Sequence, residues 1–161
     1  MDRTATAGRL ARAGSPMPIV AIGFVAGFLA TLLFHQPMLA LLHAVGLTPG
    51  TPYATRAAAV VGVPQFLSTA FWGGVWGIAL VFLVRRLRRG APYWLGAVLF
   101  GAVFPTLVAW FVVAPLKGLP AAGGFRPSAM ETGLLVNAAW GLGAAVFLTI
   151  FERLAGTKLR R

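Results

Sequence analysis

Cysteine is absent from this chain of 161 residues, which excludes disulfides, iron–sulfur clusters, thiolate zinc sites and cysteine nucleophiles together. Acidic side chains are nearly absent as well, for Asp2, Glu131 and Glu152 are the only three. A carboxylate pair for acid–base work or an oxygen-rich metal cage has little to draw on. His35 and His43 are the two histidines. Eight residues apart on a continuous helix they stand about 12 Å from each other, so neither one metal ion nor one haem can take both. Ser15, Ser68 and Ser128 are flanked by no nucleophile motif. Gly156-Thr157-Lys158 reverses the order of a phosphate-binding loop and lacks the glycines that precede one. These absences point to a non-enzymatic protein without a cofactor or metal.

What the chain has is apolar length. It is 58% hydrophobic and 11% charged, with a mean hydropathy of +0.82, a balance that a water-soluble domain of this size, needing a charged exterior, does not tolerate. About 20 apolar residues cross a hydrocarbon core of roughly 30 Å. Four stretches qualify, approximately 18–37, 64–84, 92–115 and 130–151. The expected fold is therefore all-α, a single integral membrane bundle of four transmembrane helices. Proline at Pro37 is expected to interrupt the first, leaving 37–47 as its tilted end or as an interfacial helix. Pro105 is expected to kink the third, and Tyr93 and Trp94 look like interfacial anchors at its start.

Basic residues orient such helices, because short positively charged loops remain cytoplasmic. Arg3, Arg9 and Arg12 precede span 1, Arg85, Arg86, Arg88 and Arg89 join spans 2 and 3, and Arg153, Lys158, Arg160 and Arg161 follow span 4. Arg56, Lys117 and Arg126 fall on the other side. Both termini are thus expected in the cytoplasm, with the first span an uncleaved anchor, since no small-x-small cleavage site follows it. The net charge of +11 sits in short flanks of apolar runs and on no helix face with stacking aromatics, so the expected partner is a leaflet of anionic headgroups and not nucleic acid. Arg85, Arg86, Arg88 and Arg89 are the expected lipid contacts. Arginine outnumbers lysine, and alanine and glycine abound, a composition that suits a GC-rich bacterial source and hence an inner membrane.

Small residues recur at four-residue spacing: Gly23 and Gly27 in span 1, Thr69, Gly73 and Gly77 in span 2, Gly133, Asn137, Gly141 and Ala145 in span 4. Such strips let helix backbones approach closely. A faint repeat relates Trp72-Gly73 to Trp140-Gly141 at an offset of 68 and Gly27 to Gly101 at 74, as two tandem helical hairpins would. Polar residues gather in the outer halves of the spans: His35, Gln36, Gln65, Ser68, Thr69, Glu131 and Asn137. They form either an outward vestibule, with Asn137 facing Ser68 and Thr69, or hydrogen bonds between helices, Asn137 tying span 4 to span 2. The function expected first is that of an accessory, assembly or self-associating membrane component. The alternative is a small oligomeric transporter or channel.

Overall fold

A computed structural model describes residues 19–58 and 62–154. The expectations that rest on Arg3, Arg9 and Arg12, on the start of the first span at Pro18, and on Gly156, Thr157, Lys158, Arg160 and Arg161 lie outside them. The described chain is helical, without a β-strand, and four helices are long and apolar enough to cross a membrane: α1, Ile19–Ala44; α2, Gln65–Val84; α3, Ala91–Leu116; and α4, Pro127–Leu154. The chain is a multi-pass membrane protein by this measure. In hydrocarbon each backbone N–H and C=O must find its partner within the protein, and an unbroken helix satisfies both.

Pro37 does not interrupt α1, which corrects the sequence reading. The helix runs through it because the turn before, Thr31–His35, widens to π geometry, with the Gln36 N–H donating to the Thr31 carbonyl five residues back. A wider turn relaxes the crowding that a proline ring imposes on the preceding turn. Residues 37–44 accordingly continue α1 as its end, and of the two alternatives for this segment the separate interfacial helix is the one set aside. The same device recurs in α3, where Pro105 lies inside the helix and a π turn, Ala109–Val113, ends two residues before Pro115, just as the first ends two residues before Pro37.

Glycine strips decide which helices touch. A methyl group placed on Gly27 would overlap the Gly73 carbonyl oxygen and stand 2.8 Å from the Gly77 Cα, while one on Gly23 would meet the Gly77 carbonyl oxygen and the Val81 side chain at 2.8 Å each. The contacts run in opposite order along the two helices, so α1 and α2 form an antiparallel hairpin. In the second hairpin, a methyl group on Gly101 would overlap the Asn137 carbonyl oxygen and lie 2.9 Å from the Gly141 Cα. Gly27 with Gly73 and Gly101 with Gly141 are corresponding positions at the offsets of 74 and 68.

The hairpins are not closed symmetrically. α1 packs along α4 as well as α2, whereas α2 and α3, joined only by residues 85–90, meet at few positions. The substituents explain the difference. Ala26 and Ala144, fully buried in the core that α1 shares with α4, correspond by the same offsets to Phe100 and Trp76, whose rings meet edge to face at 5.9 Å between α3 and α2. Alanines admit close backbones, and aromatic rings hold the helices apart.

Candidate functional site

Polar groups inside an apolar bundle are the places where chemistry or passage would have to occur. They fall in three levels. At the end of the bundle that bears the 45–64 segment, the Tyr53 N–H donates to Gln36 Oε1 at 2.8 Å and the Tyr53 hydroxyl to the Leu32 carbonyl at 2.7 Å. The π turn accounts for the second bond, since the Gln36 N–H that would ordinarily take the Leu32 carbonyl is engaged by Thr31. Tyr53 adopts φ of +48°, a left-handed conformation uncommon for a tyrosine and held here by both bonds. Beside it the Arg56 Nε donates to Gln65 Oε1. The N–H groups of Gln65 and Phe66 donate to the Arg56 and Ala54 carbonyls, so the loop caps the first turn of α2. Residues Leu39, Gly50–Arg56 and Gln65 border a cavity of about 390 Å³.

In the middle of the bundle, Trp140 of α4 is 2% exposed and its indole N–H donates to the Gly27 carbonyl of α1 at 2.9 Å. The Thr31 hydroxyl donates to that same oxygen at 3.0 Å. Trp140 thus crosses from α4 to the point where α1 and α2 are closest. Between α3 and α4, the Asn137 side-chain amide donates to Thr106 Oγ1 at 2.9 Å, and that hydroxyl donates to the Gly133 carbonyl at 3.1 Å. Asn137 therefore ties α4 to α3. It belongs to neither arrangement the sequence suggested for it, a wall facing Ser68 and Thr69 or a tie to α2. The physical reason is rotational: Asn137 and Gly141 lie one turn apart, and both turn to the Ala97–Gly101 strip.

At the end with the arginine loop, Arg89 pairs with Glu152 of α4 and lies over the Tyr93 ring at 4.7 Å. Tyr93 is 3% exposed and donates its hydroxyl to the Ala145 carbonyl at 3.0 Å. It is an internal clamp and not the surface anchor the sequence suggested, whereas Trp94 remains partly exposed. Arg89 is exposed as Arg86 and Arg88 are, but a carboxylate and a ring face hold it to the bundle. Arg85 stacks on the Phe82 ring at 6.0 Å.

The seven residues of the sequence-level polar cluster do not form one site. Gln36 is paired with Tyr53 and Gln65 with Arg56. The Thr69 hydroxyl turns back onto the Gln65 carbonyl at 2.9 Å, Ser68 is half-buried, and Glu131 is exposed. His35 has its Nδ1 buried without a hydrogen-bond partner, and His43 Nδ1 lies 3.1 Å from the Thr48 carbonyl. Among the described residues no three His, Cys, Asp or Glu side chains come close enough together to hold a metal ion. Tyr53, Thr106, Tyr93, Trp140 and Glu152 are the polar connectors that sequence reasoning passed over. Their partners lie 17 to 113 residues away, and no local pattern announces such pairings.

Comparison with protein-family models, curated proteins and solved structures finds no match. The site has to be judged on geometry. Asn137 and Thr106 satisfy one another, so removing either should behave as loss of one interhelical bond. Asn137→Leu and Thr106→Val, alone and combined in a double-mutant cycle of thermal stability, are expected to show a coupling of about 0.6 kcal/mol and no more than about 1.7 kcal/mol. Strictly additive losses would mean that the two side chains do not depend on each other.

Proposed function

We propose that this chain is a non-enzymatic, multi-pass protein of a bacterial inner membrane, with both termini cytoplasmic, which acts as an accessory, assembly or self-associating component. The observation that carries the reading is that most polar side chains of the described spans are engaged within the chain, the buried Nδ1 of His35 being an exception. Gln36, Gln65, Thr69, Thr106, Asn137 and Trp140 each bond to a neighbouring helix, loop or turn, which leaves none of them lining a common lumen. A solute crossing between the helices would meet side chains whose hydrogen bonds are already made. The uneven packing of the helices supports the partner role. α3 is the most apolar of the four helices and buries only 28% of its apolar stretch, against 39% for each of the other three, so α3 is the helix with most surface to offer inside the bilayer.

Two measurements test this. Leu99, 61% exposed on α3, replaced by a photo-crosslinking residue in native membranes, is expected to give a discrete adduct with another membrane protein or with a second copy. Labelling of lipid alone, together with passage of a small solute by the purified protein in liposomes, would overturn the reading in favour of a transporter. The absence of cysteine makes orientation accessible. Thr51→Cys is expected to react with an impermeant maleimide in intact cells and Leu87→Cys is not, following the arginine distribution, and the reverse pattern would invert the topology.

A further inference from the structure

We propose that the seam between α2 and α3 holds one anionic phospholipid, with its headgroup on Arg86 and Arg88 and an acyl chain along the seam. The seam is the open side of the bundle. α2 and α3 are brought together at Trp76 and Phe100, and Leu87 of the connecting loop lies against Gly96, where a side chain would overlap it. One turn beyond that ring pair, away from the loop, Trp72 and Phe104 are 59% and 52% exposed and leave an unpartnered apolar face on both helices. From Trp72 to Arg85 is thirteen residues, about 20 Å of helix. That exceeds the roughly 15 Å that a lipid tail spans in one leaflet, half of the roughly 30 Å core, so the face is long enough to take one.

Charge selects the occupant. The α2–α3 seam ends at a loop with four arginines in five positions, of which Arg86, Arg88 and Arg89 are exposed and Arg89 is committed to Glu152 and Tyr93, leaving the headgroup to Arg86 and Arg88. Guanidinium groups take phosphate oxygens in a bidentate manner. Basic pockets between transmembrane helices are where anionic headgroups lodge. A second copy placed with the same face here would bring the same arginines into opposition, and the chain has only three carboxylates to offset them. Trp94, partly exposed at the start of α3, stands at the depth where aromatic side chains meet headgroups. The inference rests on the chain being embedded in a bilayer and on neither partner described above.

The test is a thermal melt of the purified, delipidated protein in detergent, titrated with long-chain phosphatidylglycerol. A saturable rise in Tm is expected, with no rise from phosphatidylcholine of the same chain length. Arg86→Gln combined with Arg88→Gln should weaken the apparent affinity roughly 30-fold, the loss of two contacts of about 1 kcal/mol each. Lys117→Gln at the opposite end should leave it unchanged. Dihexanoyl phosphatidylglycerol should bind more weakly than the long-chain lipid, and glycerol phosphate should have no effect, because the apolar face along the seam contributes through the tail. An equal Tm rise with phosphatidylcholine, an equal response in the double variant, or undiminished binding of the short-chain lipid would each overturn the proposal. The lipid comparisons decide it with the unaltered protein even where the double variant does not purify.

Discussion

Gly27→Leu is expected to disrupt the bundle, lowering stability in detergent by at least about 3 kcal/mol. Overpacking a well-packed core costs about 1–3 kcal/mol and occasionally more, and Gly27 is the case where little can yield. Its neighbours are backbone atoms, the Gly73 carbonyl and the Gly77 Cα, and neither can rotate away as a side-chain tip does. Its own carbonyl also receives Trp140 and Thr31. Moving α1 outward to admit a leucine would therefore break a bond to α4 at the same time. Gly101→Leu, which meets the Asn137 carbonyl and Gly141, should have a comparable effect on the second hairpin. Gly90 is an unsuitable control although it lies in a loop with open space around it, because its φ of +98° penalises any side chain. Gly50→Ala serves better, since only the ends of the Thr48 and Leu39 side chains come near and its backbone is ordinary. Thermal melts of Gly27→Leu and Gly50→Ala side by side check the expectation, and equal midpoints would remove the backbone contact as the basis of the α1–α2 hairpin.

Trp140→Ala is expected to cost about 3–5 kcal/mol, as large-to-small changes at buried aromatic positions do. The indole is 2% exposed within a buried core that also holds Ala26, Ala30, Ala144, Leu80 and Leu148, so its removal leaves a cavity there. Trp140→Phe separates the two contributions. It keeps most of the ring volume and removes only the N–H that reaches Gly27, so the expected loss falls to about 0.6–2 kcal/mol. Trp72 occupies the corresponding position of the first hairpin, 68 residues earlier, yet is mostly exposed. Trp72→Ala should therefore change stability by well under 1 kcal/mol. Measured unfolding midpoints for the three variants decide the matter, and a Trp72 effect as large as that of Trp140 would contradict the asymmetric closure of the bundle.

Reading the residues in order reaches the fold but stops short of the pairings. Four apolar runs separated by proline, glycine and arginine are enough to identify an all-helical membrane bundle, because no other backbone arrangement of that length satisfies its own hydrogen bonds in hydrocarbon. Helix continuity is less legible. Proline lacks the N–H that would bond to the carbonyl one turn back, and from sequence Pro37 reads as a break, while the structure absorbs it by widening Thr31–His35, a choice that Tyr53 reinforces from 21 residues away. The polar residues show the same limit. Hydrophobic context places Gln36, Gln65 and Asn137 at given depths, but depth leaves rotation about the helix axis and the identity of the facing helix undetermined.

The sequence by itself therefore determined the membrane class, the number of apolar helices, their approximate limits, and the small-residue strips along them, since each depends on local composition and spacing. Tertiary structure alone decided that α1 lies between α2 and α4 while α2 and α3 stand apart, that Asn137 meets Thr106, that Tyr93 is buried, and that Arg89 leaves the arginine cluster for Glu152. Those outcomes turn on which face of each helix meets which neighbour. Alanines at 26 and 144 and aromatic rings at 76 and 100 settle that together, through helix separations that no single stretch of chain encodes.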